Sequence, residues 1–303
     1  MYYPILRGKQ FELIALRELA ERLNPESVTP VIEPVRNNLK PLITTIDCLH
    51  SKGITPIIVT NPSLGDFARS QTDLSQELQS LAKDKFTPCI KVSTKHKATD
   101  ETLRKINGET ALYIEGSADK SFIALSNDAK LTLINTDKLP TNALSQFKNI
   151  VVYKNSFNKQ VRNADYEELS FYSNAHIEFN NYKNAVGFGD FTILSEDYIE
   201  SGGPAYVVTI HLSYIDDEEF DSMFVRHFSS FDDESPTNPG GKFSDALSKL
   251  ITYVSDNPKK FYQSTGLDGL LDLGTKPFPG LGVVKKLSLK HHIETLSDFI
   301  EGQ

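Results

Sequence analysis

The segment Thr29-Pro30-Val31-Ile32-Glu33 returns as Thr55-Pro56-Ile57-Ile58 and again as Thr87-Pro88-Cys89-Ile90-Lys91. Each copy opens on threonine–proline, runs through apolar residues and leads to a polar or charged side chain. Proline is tolerated at the first residue of a strand, and a short apolar run reads as a strand buried on both faces. The copies begin 26 and then 32 residues apart, which leaves room for one helix in each gap. Strand, helix, strand at that pitch predicts parallel β/α units.

Working outward, the same rhythm holds in both directions. Tyr2 to Leu6 is a short apolar run, and Gln10 to Leu23 follows with Leu13, Leu16, Ala20 and Leu23 on one helical face. Helices are predicted near Leu39–Ser51, stopped by Gly53, near Leu74–Asp84, and over Asp100–Ile106 after a basic turn at Lys95, His96 and Lys97. Further strands are Thr110–Ile114, Leu131–Ile134 and Ile150–Tyr153, with short helices around Lys120–Leu125 and Asn142–Phe147. Ala185-Val186-Gly187-Phe188 is the eighth strand. Neither a Gly-x-Gly-x-x-Gly turn nor a Walker pattern follows any of them, so the nucleotide fingerprints of an open sheet are missing. The expected architecture is α/β: a small or irregular (β/α)8 TIM-like barrel over residues 1–198.

Residues 199–303 read differently. Ser201-Gly202-Gly203-Pro204 is a breaker cluster, and two β-like segments, Ala205–Tyr214 and Met223–Phe228, flank an acidic run. They predict an antiparallel hairpin. Pro239-Gly240-Gly241 then opens an amphipathic helix carrying Phe243, Ala246, Leu247, Leu250, Ile251 and Val254, and a last helix runs near Leu287–Ile300. This third of the chain is expected to cap the barrel. The acidic runs at 216–221 and 232–234 read as a solvated hairpin tip and a loop.

Composition sets outer bounds. The chain has 303 residues, 39% hydrophobic content and no low-complexity tract, as a folded globular protein has. A net charge of −8 argues against broad, non-specific nucleic-acid binding. No apolar run is long enough for a membrane span, and Met1-Tyr2-Tyr3-Pro4 does not open a secretory signal. Two cysteines, Cys48 and Cys89, form neither a disulfide framework nor a zinc site. A cytoplasmic protein that does not enter membranes is the expectation.

The polar residues just past the strands form a constellation: Arg7 and Lys9, Glu33, Asn61, Lys91, Glu115, Asn135 with Asp137, Lys154, and Asp190. In a β/α barrel these positions surround the C-terminal mouth, where such folds keep their chemistry. Acids alternating with bases in a partly buried ring neutralise one another and shift their pKa values. Three chemistries fit. Glu33, Glu115 and Asp190 could hold Mg²⁺ or another divalent metal, with Arg7 and Lys9 on phosphate and Lys91 and Lys154 stabilising developing negative charge, as in a phosphodiesterase. Lys91 or Lys154 could instead form a Schiff base, or Glu33 and Glu115 could work as acid and base on a sugar. His211 and His227 lie on the two hairpin strands, where they can face each other and line the mouth if the hairpin folds over it. His291-His292 is expected at the surface.

Tyr3-Pro4-Ile5-Leu6-Arg7-Gly8-Lys9-Gln10-Phe11-Glu12-Leu13 and Thr29-Pro30-Val31-Ile32-Glu33-Pro34 resemble the bacterial and phage "beta protein" family, as do Gly187-Phe188-Gly189-Asp190-Phe191 and Pro204-Ala205-Tyr206-Val207-Val208. The resemblance runs from the first strand to about Lys242. Many members are encoded near mobile elements and anti-phage defence genes, and one branch sits beside a gene for a nuclease-like protein. The resemblance therefore implies a role in phage defence with a nuclease-like partner. It supplies no catalytic motif to carry over. The leading expectation is a defence component whose charged mouth handles a phosphate-bearing ligand or nucleic acid, as a metal-assisted phosphodiesterase or a nucleotide- or nucleic-acid-processing enzyme would. The alternative is a non-catalytic ligand-sensing or regulatory subunit of a nuclease.

Overall fold

The computed structural model describes residues 1–69, 72–94, 99–200, 202–203 and 205–303. The basic turn at Lys95, His96 and Lys97, and Ser201 and Pro204 of the breaker cluster, lie outside the described residues. Eleven strands occur among them: β1 (Tyr2–Leu6), β2 (Val31–Ile32), β3 (Ile57–Val59), β4 (Thr87–Val92), β5 (Ala111–Ile114), β6 (Thr132–Asn135), β7 (Ile150–Lys154), β8 (Leu169–Ser173), β9 (Ala185–Asp190), β10 (Thr209–Asp216) and β11 (Ser222–Ser229). Strands β1 to β7 and β9 close into an eight-stranded parallel barrel, in which β1 pairs with both β2 and β9. The expected (β/α)8 TIM-like architecture is what forms.

The threonine–proline phrase works as a strand opener because proline loses only its donor. The Pro30 carbonyl accepts from Ile57 N–H at 2.8 Å, and the Pro56 carbonyl accepts from Thr87 N–H at 2.9 Å. Both prolines thus serve the parallel ladder with the group they retain. Inside the barrel, Tyr3, Ile5, Val31, Ile57, Val59, Cys89, Ala111, Tyr113, Leu133, Val151, Tyr153 and Phe191 pack as one core. Two lumen-facing glycines on β9 make room for β1. A Cβ on Gly187 would come within 2.3 Å of the Met1 carbonyl oxygen and 2.7 Å of the Tyr3 ring, and one on Gly189 within 2.6 Å of the Tyr3 carbonyl oxygen.

The chain divides into two compact units, one of Met1–Asn155 with Ala175–Phe191, the other of Ser156–Asn174 with Thr192–Gln303. This differs from the expected boundary at 198/199. After β7 the chain leaves the barrel unit, contributes β8 to the second unit and returns for β9. The second unit holds an antiparallel sheet in the order β10-β11-β8, so the expected hairpin gains a third strand. One face of the hairpin, with Ile210, Leu212, Tyr214 and Phe228, packs with Phe243, Leu247 and Leu250 of the helix Pro239–Asp256.

The last helix, Leu281–Glu301, is buried over most of its length, and His291 and His292 are fully buried in it rather than at the surface. Both find partners. His291 Nε2 donates to the Ser213 carbonyl at 2.7 Å, which leaves its Nδ1 to accept from Ser264 Oγ at 2.7 Å. His292 Nδ1 lies 3.1 Å from Ser213 Oγ. The buried Glu294 accepts from the N–H groups of Thr265 and Gly266, opening the helix Thr265–Asp272. Burial lowers the His291 pKa to about 4.

Two predictions follow from these contacts. Gly187→Ala must displace the Met1 backbone, and is expected to cost about 1–3 kcal/mol in denaturant unfolding, as overpacked sites do. His291 stays neutral when folded, whereas the unfolded residue takes up a proton below about pH 6.5. Its neutral form therefore stabilises the fold fully above that pH, and the contribution fades as pH falls towards about 4. His291→Asn should flatten that part of the pH dependence in thermal melts between pH 7 and 4.

Candidate functional site at the barrel mouth

Side chains alternate across a strand, so residues two apart share a face. Continuing the lumen-facing series by one step past Ile5, Val31, Val59, Cys89, Tyr113 and Leu133 gives Arg7, Glu33, Asn61, Lys91, Glu115 and Asn135. These six predicted positions therefore share the inner face at the C-terminal mouth, on six consecutive strands.

Glu33 is the centre of the group. Its side chain is completely buried. Arg7 Nη1 donates to Oε2 at 2.7 Å, and Lys91 Nζ donates to Oε1 at 2.6 Å. The Ser63 N–H donates to Oε1 as well, at 3.2 Å. Lys91 Nζ also meets Ser63 Oγ at 2.6 Å and Glu115 Oε1 at 3.3 Å. The backbone of Lys91 is clamped by Asn61, whose amide accepts from Lys91 N–H and donates to the Lys91 carbonyl, each at 2.8 Å. The Arg7 N–H donates to Glu12 Oε2 at 2.6 Å, and its guanidinium lies over the Phe191 ring, 4.9 Å from the centroid. Tyr113, Tyr153 and Phe191 form an aromatic floor by edge contacts, and Tyr153 Oη donates to the Ile114 carbonyl across the barrel at 2.9 Å.

The electrostatics follow from this packing. Burial would push the Glu33 carboxyl up, but the charges of Lys91 and Arg7 and the hydrogen bonds from Lys91 and Ser63 outweigh it and hold the pKa below the usual range. Burial likewise opposes the charge on Arg7, yet Glu33 foremost raises its pKa. Burial and the Glu33 charge push the Cys89 thiol up, so it is an inert core group. The result is a chain of alternating charge, Arg7–Glu33–Lys91–Glu115. Only its last carboxylate is substantially open, with 28% of the Glu115 side chain exposed against 4% for Lys91.

The structure separates other predicted residues from this group. Lumen-facing Val151 and Tyr153 put Lys154 on the opposite face of β7, where it meets Asp137 at 3.8 Å. Asp190 follows Phe188 on the outer face of β9 and accepts from Tyr2 Oη at 2.8 Å. Lys9 sits at the N-cap of the helix Gln10–Leu19. Asn135 is buried, and its Oδ1 accepts from the Asp137 N–H at 2.9 Å. His211 and His227 belong to the second unit and do pair across the hairpin. Sequence reasoning missed Ser63 and Glu12, a loop residue and a helix residue, which have no strand periodicity to announce them.

The donor set does not suit the expected metal. Both Glu33 oxygens already receive cationic donors, and Asp190 faces away from the lumen. Among the described residues no group of three or more His, Cys, Asp or Glu could hold a metal ion. The Schiff-base reading meets a similar obstacle, because Lys91 Nζ is already engaged by two carboxylates, Glu33 at 2.6 Å and Glu115 at 3.3 Å. No protein-family model matches the chain, and a search of the curated proteins finds no match.

The network grades its members by burial. Lys91→Met should cost about 3–5 kcal/mol in denaturant unfolding, because it leaves the buried Glu33 half-neutralised. Glu115→Gln should cost less than about 1 kcal/mol, as expected for a partly solvated pair.

Proposed function

We propose that the barrel mouth binds a phosphate-bearing ligand, and that the protein works through this mouth as a ligand-sensing or regulatory subunit rather than as a phosphodiester hydrolase. The observation that carries this reading is the uneven coordination of Lys91. Two of its contacts are short, a buried one to Glu33 and a part-buried one to Ser63, each at 2.6 Å, and the third, to the partly exposed Glu115, is longer at 3.3 Å. An incoming anion can take the place of Glu115 beside Lys91 without disturbing the inner pair. The exchange would release the Glu115 carboxylate at the rim, so occupancy becomes a change in surface charge that a partner can read. Glu33, the residue best placed to act as a base, has both oxygens engaged and a lowered pKa, which suits a structural counter-ion better than a proton acceptor.

The context rests on the resemblance to the beta protein family: a defence component whose partner is a nuclease-like protein. A reducing, cytoplasmic setting suits the free thiols Cys48 and Cys89. No helix among the described residues is long and apolar enough to cross a membrane.

Calorimetric titration at low salt with inorganic phosphate, mononucleotides and cyclic dinucleotides tests the reading. At least one should bind, and Glu115→Gln should bind it more tightly by removing the competing charge. If neither protein binds any of them, the reading fails. Phosphodiester cleavage that requires Mg²⁺ or Mn²⁺ and is lost in Glu33→Gln would replace it with the hydrolase.

A further inference from the structure

The second unit contains a hydrogen-bonded series that the barrel site does not use. Ser170 Oγ on β8 lies 2.8 Å from His227 Nε2 on β11, and His227 Nδ1 lies 2.7 Å from His211 Nδ1 on β10. A hydroxyl, an imidazole reached through Nε2, and a third group on Nδ1 make up the layout of a nucleophile, its base and the group that orients the base. Strand pairing fixes it. His211 stands directly opposite His227, and Ser170 is opposite Val225 on the same face, one alternation away.

Tautomers follow from geometry. Two ring nitrogens 2.7 Å apart must share one proton. With that proton on His227 Nδ1, its Nε2 lone pair is free to accept from Ser170 Oγ–H. The Tyr166 ring stacks on His227 at 4.7 Å, and Phe157 packs edge-on against His211 at 5.0 Å. These rings hold both imidazoles in place. Ser170 and His211 are only partly buried, so the series reaches the surface at both ends. A contrasting pair lies in the same unit. Ser264 and His291 are equally close, but both are sealed in the core, and Ser264 Oγ caps the helix Thr265–Asp272 by accepting from Leu267 N–H. That pair is structural. Ser170 starts no helix and stands on an outer strand of its sheet.

We propose that Ser170, His227 and His211 form an acyl-transfer site that hydrolyses activated esters or thioesters with an apolar acyl group. Ser170 Oγ attacks the carbonyl carbon while its proton passes to His227 Nε2. The tetrahedral adduct collapses by breaking the bond to the leaving oxygen or sulfur, which takes the proton back from Nε2. Water then repeats the two steps on the acyl-Ser170 ester, releasing the acid and restoring the hydroxyl. His211 is a positioning residue: its Nδ1 lone pair holds the His227 Nδ1–H and steadies the imidazolium that forms. Burial lowers the His227 pKa to about 4, and burial, then His227 and Lys285, hold that of His211 well below the usual imidazole value. Both rings stay neutral and proton-accepting at physiological pH. A base so weak needs a good leaving group, which is why activated acyl compounds are the substrate class. The half-buried Tyr166 ring supplies apolar surface for the acyl chain, backed by the buried Phe157 ring.

The test uses the full chain with p-nitrophenyl butyrate as substrate and a fluorophosphonate as covalent probe. Mass spectrometry should place one phosphonyl adduct on Ser170, and Ser170→Ala should remove both the adduct and ester turnover while leaving the thermal melt unchanged. His227→Gln should slow turnover by about 10²-fold or more, the usual scale for losing a general base. Two substitutions at His211 separate positioning from packing. His211→Asn keeps an acceptor for His227 Nδ1–H and should stay within a few-fold of the parent, whereas His211→Phe keeps the ring packing and should fall with His227→Gln. Absence of an adduct at Ser170, turnover that persists in Ser170→Ala, or the reverse order of the two His211 variants would overturn the proposal.

Discussion

A carboxylate with no solvent exposure sits between two cations at the mouth of the barrel, and much of the architecture answers to it. Burying one charge is costly, and burying a pair helps only when the geometry is good and the remaining lone pairs are satisfied. Glu33 meets both conditions. Each of its oxygens has a cationic donor and one has a backbone N–H as well. The donors come from the residue just past β1, from β4 and from the loop after β3, so the ion network ties together strands that the backbone ladder joins only in sequence. Asn61 then secures Lys91 through its backbone, and Glu12 secures Arg7. The mouth is closely hydrogen-bonded at Glu33 and more exposed towards Glu115.

Much of this was legible in the chain. The repeated threonine–proline phrase located three barrel strands because it combines a missing donor with a short apolar run, a pattern that few other structures tolerate. Glu33, Lys91, Glu115 and Lys154 stand out because each lies inside or immediately beyond such a run. What marked the true members of the site was alternation: Arg7, Glu33, Asn61, Lys91, Glu115 and Asn135 keep step with the lumen-facing residue two positions earlier. Lys154 and Asp190 are one step out, and that single step places them on the other face of their strands. A list of polar residues at strand ends cannot make this distinction, whereas counting by twos can.

Other features were hidden for physical reasons. Strand β8 belongs to no β/α repeat: its alternating Leu169 and Phe171 are exposed rather than in a core, and its pairing partner lies some fifty residues or more away on β11. The helix Leu281–Glu301 carries serine, lysine, histidine and glutamate around its circumference, so its pattern suggests a surface helix. It is buried because those groups find partners in Ser213, Ser264 and the N-terminus of the helix Thr265–Asp272, and tertiary hydrogen bonds of that kind leave no local trace. The second unit also shows that similar pairs can have opposite meanings. Ser264 with His291 closes a core, and Ser170 with His227 opens towards solvent.

The claim that Glu33 and Lys91 act as one buried unit is tested most directly by a double-mutant cycle in denaturant unfolding, comparing Glu33→Gln, Lys91→Met and the double variant with the parent. The account predicts a double variant markedly less destabilised than the two single effects combined, with a coupling above about 1 kcal/mol, as contacting residues in one network show. Additivity to within about 0.5 kcal/mol, the behaviour of independent sites, would contradict it.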